Sequence, residues 1–115
     1  MILIRNEATL ILKSTLGCLL RRNAPDIGTT LELCVQNQDG KTRVIAKALV
    51  KTVRRVSIST YEGNPQLLQK HGFRSLNGLK HNVTELYGES YWQGFLSGKL
   101  ELYRLCIDYS LTGQN

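Results

Sequence analysis

The chain has 115 residues, with 15 Lys and Arg against 9 Asp and Glu and a formal net charge of +6. This length suits one core and is short for two, so we predict a single domain over residues 1–115. The excess of basic residues favours a phosphate backbone or another anionic partner. No run reaches the ~20 apolar residues of a membrane helix, so we expect no membrane segment.

The N-terminal residues predict a short helix followed by a strand. "MILI" suits a first strand or a lead-in, and Asn6 can cap a helix whose apolar residues recur at helical spacing. After Gly17, "CLLRR" is either the last turn of that helix or a short strand, and we favour the strand. "NAPDIG" then forms a loop of turn-forming residues.

The cysteines indicate the compartment. Cys18, Cys34 and Cys106 are odd in number, far apart and set in apolar runs, which is typical of reduced core thiols in a cytosolic protein. Charged residues interrupt the apolar N-terminus, so it does not read as a signal peptide. We therefore expect a cytoplasmic protein.

A β-hairpin follows the loop. "TTLELCVQN" alternates apolar and polar residues, and Asp39-Gly40 in "QDGK" suits a tight turn. The return strand, residues 42–59, is rich in β-branched residues. Its predicted core face consists of Val44, Ala46, Ala48 and Val50. Its predicted basic face consists of Arg43, Lys47, Lys51 and Arg55.

The second half predicts two helices, a loop and a last strand. One helix starts at Pro65 and stops at Gly72, and the next is capped by Ser75 and ends at Gly88. "YGESYWQGFLSGK" reads as an aromatic, glycine-spaced loop. The last strand, "LELYRLCIDYSL", has one shared apolar face: Tyr103, Leu105, Ile107, Tyr109 and Leu111.

This order of elements predicts an α+β domain whose sheet curls into a small barrel. Four stretches, "IGTTLEL", "RVIAKALVKTVRRV", "HGFRSLNGLKHNVTELYG" and "LELYRLCID", resemble in order the motifs of the ASCH family. The resemblance runs from about Glu7 to Tyr109. It implies a small PUA-like β-barrel with flanking short helices and a cleft suited to RNA or a nucleotide-like ligand.

The same resemblance brings an enzymatic alternative, because some family members are regarded as amidohydrolases of acetylated cytidine. In those members a lysine, a threonine and a glutamate cooperate, and an amine can take the proton of a hydroxyl nucleophile. This chain departs from the pattern. The two possible alignments place the lysine and threonine positions on Leu16 and Leu19, or on Gly17 and Leu20.

The glutamate that hydrolase members carry before the capped helix is also missing, since the chain reads "QKHG" there. Lys13 and Thr15 are nearby and could replace the catalytic pair if the loop is shifted. We therefore lean against an enzyme. We predict no cofactor and no metal, because His71 and His81 lack partners at ligand spacing.

The basic residues are the main candidates for binding. Residues four apart in a strand point the same way and stand about 13 Å apart, so the basic face could follow a phosphate backbone if no bulge changes the register. A solvated outer face is the competing interpretation. The pairs Arg21-Arg22 and Arg54-Arg55 would strengthen the site if they met at one cleft.

Two aromatic residues complete the candidate site. Tyr91 and Trp92 could stack on bases beside these cations, or the aromatic loop could fold as a lid over the core. We predict a nucleic-acid-binding module, with RNA as the expected ligand, acting through a basic cleft. The alternatives are a small amidohydrolase and a regulator that binds an acidic protein partner.

Overall fold

The structure is a computed structural model that describes residues 1–112, so the last three residues of the predicted domain lie outside the described part. Its helices are α1 (Arg5–Leu12), α2 (Ile58–Tyr61), α3 (Pro65–Lys70), α4 (Leu76–Tyr87) and α5 (Glu89–Leu96). Its strands are β1 (Cys18–Arg21), β2 (Thr30–Gln36), β3 (Thr42–Val56) and β4 (Leu102–Leu111).

The strands form one antiparallel sheet in the order β1-β4-β3-β2. The N-terminus lies along the outer edge of β2, where a parallel bridge joins Ile2 to Cys34 and the Leu3 N–H donates to the Cys34 carbonyl over 2.8 Å. "MILI" is therefore a lead-in, and "CLLRR" forms the predicted strand through Arg21. The curled sheet and its short helices confirm the predicted α+β, barrel-like fold, in the form of an open half-barrel.

Two bulges bend the long strand β3. The pairing with β2 skips Ile45, and the pairing with β4 skips Lys51. An extra residue in one strand is left unpaired, increases the local twist and bends the strand. Each bulge also changes which face the following side chains occupy. The bulges thus curl the sheet and decide where its charged side chains lie.

The sheet separates two hydrophobic clusters. Leu105 of β4 belongs to the cluster that contains Ile11 of α1. Leu102 belongs to the cluster that contains Leu79 of α4 and the other later helices. The predicted apolar face of the last strand is confirmed, because all its members lie in or against the α1 cluster: Tyr103, Leu105, Ile107, Tyr109 and Leu111.

The predicted core face of β3 is confirmed in its centre. Ala46, Ala48 and Val50 are buried, whereas Val44 is only partly buried. The bulge explains the difference, because it adds Ile45 to the buried residues of the strand.

The two predicted helices after the long strand are also confirmed. Pro65 stands in the first turn of α3, and the Asn64 side chain caps this helix by accepting from the Leu67 N–H over 3.2 Å. α4 begins after Ser75 and ends at Gly88, whose φ of 92° suits a residue without a side chain.

The predicted extension of the long strand to residue 59 is wrong. β3 ends at Val56, and the Ser57 N–H donates to Thr60 Oγ1 over 3.0 Å at the start of α2. This local side-chain bond offers the backbone a helical turn in place of a further sheet contact.

The predicted aromatic loop is also wrong, because most of it forms α5. Trp92 and Phe95 are three residues apart and both are buried, which is the spacing of one helical face. Gly94 had favoured a loop, but a Cβ atom at this position would collide with the Leu100 side chain. Close packing, and not a turn, requires this glycine.

Candidate nucleic-acid interface

The basic residues of β3 do not share one face, so the predicted continuous stripe is wrong as a geometry. Directly paired residues lie on the same face of a sheet. Lys47 is paired with the exposed Glu32, whereas Arg43 is paired with Val35, which packs against the α1 cluster. The bulge at Ile45 separates these two positions and reverses their faces.

The second bulge divides the remaining cations of the strand. Lys51 is its unpaired, exposed residue. Beyond the bulge, Arg55 is paired with Tyr103, on the face of the α1 cluster. Arg54 is paired with Arg104 and therefore lies on the opposite face. Arg55 is thus the cation of this strand that has a tyrosine directly beside it.

Arg21 is an internal residue of the fold. Its side chain is 7% exposed, and its two terminal nitrogens each lie 2.7 Å from a carboxylate oxygen of Glu7. The guanidinium also donates to the Leu20 carbonyl over 2.8 Å and to the Ile2 carbonyl over 3.4 Å. These bonds join β1, one edge of the sheet, to the lead-in at the other edge. Because its two terminal nitrogens are buried and hydrogen-bonded, Arg21 is left out of the candidate interface.

Arg22, the next residue, is exposed and contacts an aromatic pair. Its guanidinium carbon lies 4.9 Å from the centre of the Tyr87 ring, and its backbone N–H donates to the Tyr87 hydroxyl over 3.0 Å. The rings of Tyr87 and Tyr91 follow, with centroids 5.0 Å apart. A cation beside two half-exposed rings is suited to hold a phosphate next to a stacked base.

Glu101 links this group to β3 and β4. The Tyr91 hydroxyl donates to the Glu101 backbone carbonyl, and the Tyr103 hydroxyl donates to its carboxylate. Arg55 Nη1 lies 3.3 Å from the other carboxylate oxygen. The whole group stands where β1 and β3 end and β4 begins. We call it the tyrosine–arginine cluster, and its members are Arg22, Arg55, Tyr87, Tyr91, Glu101 and Tyr103.

Two tyrosines of this cluster, Tyr91 and Tyr103, remain hydrogen-bond donors at neutral pH. Partial burial raises the pKa of Tyr91, and the hydrogen bond to Glu101 raises the pKa of Tyr103. Neither hydroxyl therefore becomes an anion that would oppose a phosphate.

An open groove of about 250 Å³ continues from Arg55, and its other lining residues are Val56, Ser57, Thr60, Phe95, Gly98 and Leu100.

Trp92 is a core residue. It is 5% exposed, and its ring centroid lies 5.8 Å from that of Phe95. The structure therefore agrees with the alternative in which this aromatic segment covers the core. Tyr91, one residue earlier on the helix, is the ring of this pair that reaches the surface.

The residues of the enzymatic alternative lie in the turn after α1. Lys13 is the C-cap of the helix, and the Thr15 hydroxyl donates to the Leu10 carbonyl over 3.3 Å. Within residues 1–112, no ion pair or hydrogen bond joins Lys13 to Thr15 or to a carboxylate. The arrangement of an amine that activates a hydroxyl is thus not formed here.

The two histidines lie apart from the tyrosine–arginine cluster. His71 caps α3, stacks on Phe73 with centroids 5.5 Å apart, and its Nε2 is 3.0 Å from the Tyr61 hydroxyl. Burial and the nearby Arg104 charge lower its pKa to about 3, so it is neutral. His81 is exposed and lies 3.7 Å from Glu85.

Sequence reasoning missed half of the cluster. The sequence pattern assigns Tyr103 to an apolar strand face, and it assigns no site role to Tyr87 or Glu101. Tyr87 lies 65 residues from Arg22, and Arg55 meets Tyr103 and Glu101 only through the pairing of β3 with β4. The only local signal was the concentration of tyrosines at the ends of two predicted elements.

The open half-barrel, with α1 packed on one face and α2 to α5 on the other, has an ASCH-like, PUA-like fold. Among solved structures, it is similar to ZmASCH from Zymomonas mobilis, with a TM-score of 0.55 at 11% identity over 94% of this chain and 64% of that one. The comparison with a tyrosine-to-phenylalanine mutant of ZmASCH gives a TM-score of 0.56 at 13% identity, over 96% of this chain and 69% of that one. The comparison with a serine-to-alanine mutant of ZmASCH gives a TM-score of 0.51 at 13% identity, over 94% of this chain and 65% of that one.

The chain therefore spans about two thirds of the length of these structures. At such low identity the likeness shows the fold alone. No family model matches the chain, and no curated protein does.

The helices of the described residues are also too short or too polar to cross a membrane.

Proposed function

We propose that this chain binds single-stranded nucleic acid, with RNA as the expected ligand, through the tyrosine–arginine cluster. The observation that carries the proposal is the position of three tyrosines between two exposed arginines at one end of the sheet. Unpaired bases are commonly held by stacking on aromatic rings, and their phosphates by nearby cations.

The charge of the chain supports the same ligand. The formal net charge of +6 attracts a polyanion over long range, and Arg54 and Lys51 lie near the cluster in sequence, at the same end of β3. Glu101 is the anion of the cluster, but its carboxylate is held by Arg55 and the Tyr103 hydroxyl. We infer that it positions these two groups for the ligand.

Salt dependence is the first test. The dissociation constants for a single-stranded RNA and a single-stranded DNA of the same sequence are measured at several salt concentrations. We expect the logarithm of the association constant to fall by about 0.7 per phosphate contact for each tenfold rise in salt. Binding that does not change with salt would contradict the proposal, and so would binding to neither nucleic acid.

Charge position is the second test. The double variant Arg22→Met and Arg55→Met removes two candidate contacts, so we expect the salt slope to fall by about 1.4. Lys41→Met is a matched control, because this lysine lies in the β2–β3 turn at the other end of β3. If the salt slope falls by the same amount per charge removed in the double variant and in the control variant, the attraction is diffuse. That result would overturn the assignment of the site.

Ring stacking is tested at Tyr91. Tyr91→Leu removes the ring, whereas Tyr91→Phe keeps it and removes only the hydroxyl. We expect the leucine variant to lose about 1–3 kcal/mol of RNA affinity if one base stacks there, and the phenylalanine variant to bind nearly as the parent does. Equal affinities of the two variants would refute stacking at this ring.

An acidic protein partner is the competing outcome. Such a partner would be recovered from a nuclease-treated lysate, and its binding would weaken with Arg22→Met and Arg55→Met while RNA binding stayed absent.

A further inference from the structure

Two cysteines lie side by side on the face of the sheet that α2 to α5 cover, the face of Leu20 and Leu102. Cys18 of β1 is directly paired with Cys106 of β4, and their sulfur atoms are 3.1 Å apart. The residues are 88 positions apart in the chain, so the fold alone brings them together. Both are free thiols in this structure.

The backbone geometry of this pair is compatible with a disulfide. Opposite residues in an antiparallel sheet have Cα atoms about 4.5–5.5 Å apart, and disulfides span Cα separations of about 4.4–6.8 Å. The sulfur atoms would approach by about 1 Å to reach the bond length of roughly 2.05 Å. Side-chain rotation can provide this movement without a change of strand register.

The two thiols differ in access. Cys18 is 3% exposed, whereas Cys106 is only partly buried. A reagent in solution therefore meets Cys106 first, and Cys18 lies behind it as an adjacent second thiol.

Two basic residues, Arg104 and Lys70, lie near Cys106. Arg104 lies two residues earlier on the same strand, and its buried Nε has no hydrogen-bond partner within residues 1–112. Burial acts to raise the pKa of Cys106, but hydrogen bonds from Thr52 and Cys18 and the charges of Arg104 and Lys70 bring it below its ordinary value. Burial raises the pKa of Cys18 to about 12. Cys106 is thus the thiol that ionises first.

We propose that Cys18 and Cys106 form a site of reversible thiol–disulfide exchange with a small disulfide such as oxidised glutathione. The Cys106 thiolate attacks one sulfur of the glutathione disulfide, which forms a mixed disulfide and releases one glutathione thiolate. Cys18 then attacks the Cys106 sulfur and displaces the second glutathione, which takes up the proton lost by Cys18. The pair loses two electrons and two protons, and two glutathione molecules are produced.

The bond would secure an edge of the sheet. β1 has four residues and pairs only with β4 among the described strands, and it leads directly into Arg22. A covalent link from β1 to β4 closes a long chain loop, which restricts the unfolded state. The oxidised protein is therefore expected to unfold at a higher temperature than the reduced protein. This inference does not depend on nucleic-acid binding.

The experiment exposes the full chain to mixtures of oxidised and reduced glutathione, followed by acid quenching, alkylation and mass measurement. We expect the oxidised product to lose two hydrogen atoms in mass, to retain Cys34 as its alkylatable thiol, and to return to the starting mass with dithiothreitol. Cys34→Ser is the matched control and should form the same bond. A pair that stays reduced in excess oxidised glutathione would overturn the proposal, as would a disulfide that includes Cys34.

The order of the two steps has its own test. Cys18→Ser should stop at the mixed disulfide, with one glutathione added at Cys106, whereas Cys106→Ser should gain no glutathione at Cys18. If either variant fails to fold, alkylation of the native parent protein decides instead. Cys106 should then be modified before Cys18, and faster modification of Cys18 would overturn the assigned order.

Discussion

The ion pair between Arg21 and Glu7 gives a sharp prediction of stability. Arg21→Met replaces the guanidinium with an apolar chain of similar length. It removes two 2.7 Å bonds to the carboxylate and leaves Glu7, which is 4% exposed, with the Ile4 N–H as its remaining donor at 3.1 Å. An unpaired buried charge of this kind costs about 3–5 kcal/mol.

That cost is a large part of the free energy of unfolding of a domain, which is about 5–15 kcal/mol. Urea unfolding followed by circular dichroism measures it, and an unchanged m-value would show that the change is in stability alone. Arg22→Met is the matched control, since an exposed arginine on a ring is worth about 1 kcal/mol or less.

The double variant Glu7→Gln and Arg21→Met tests the cause. If the cost arises from the buried carboxylate left without its partner, a neutral amide at position 7 should recover part of the stability. The losses of stability in the two single variants should then not add up to the loss in the double variant. A loss below about 1 kcal/mol for Arg21→Met, combined with weaker RNA binding, would refute the internal role and return Arg21 to the interface.

Two further predictions concern buried rings. Burial lowers the pKa of His71 to about 3 from an ordinary 6.5, so its contribution to stability is complete above pH 6.5 and is lost as the pH falls towards 3, by up to about 1.4 kcal/mol per pH unit. His71→Gln should remove this pH dependence, and His81→Gln should keep it. The free energy of unfolding is measured by urea unfolding at several pH values, and the same pH dependence in His71→Gln and the parent would contradict the assignment. Trp92 is the single tryptophan and is 5% exposed, so its native fluorescence should be blue-shifted and weakly quenched by acrylamide. Strong quenching in the folded protein would place its ring at the surface.

Patterns between near neighbours predicted most of the helices and strands. Pro65, Asn64 and Gly88 mark helix ends through bonds and torsions within a few residues, so the sequence contains the whole cause. The same holds for the alternation of the last strand. Gly94 favours a loop as a local pattern, but the structure requires glycine there because of a contact with Leu100 and not because of a turn.

The candidate site depended on contacts that no local pattern contains. Alternation predicts Arg43, Lys47 and Arg55 on one face of the strand. The bulges at Ile45 and Lys51, which arise from the pairing of β3 with β2 and β4, place Lys47 on the opposite face from the two arginines. Arg21 and Arg22 are adjacent cations with the same local pattern. The sequence therefore could not assign Arg21 to the interior and Arg22 to the surface.

The sequence by itself thus determined the α+β class, the order of the elements and the excess of positive charge. The tertiary structure decided which charges are buried, which rings are exposed and which thiols meet. Glu7 reaches Arg21 across 14 residues, Tyr87 reaches Arg22 across 65, and Cys18 reaches Cys106 across 88. Secondary structure follows from interactions along the chain, whereas a site follows from strand pairing and curvature, which bring distant residues within a few ångströms.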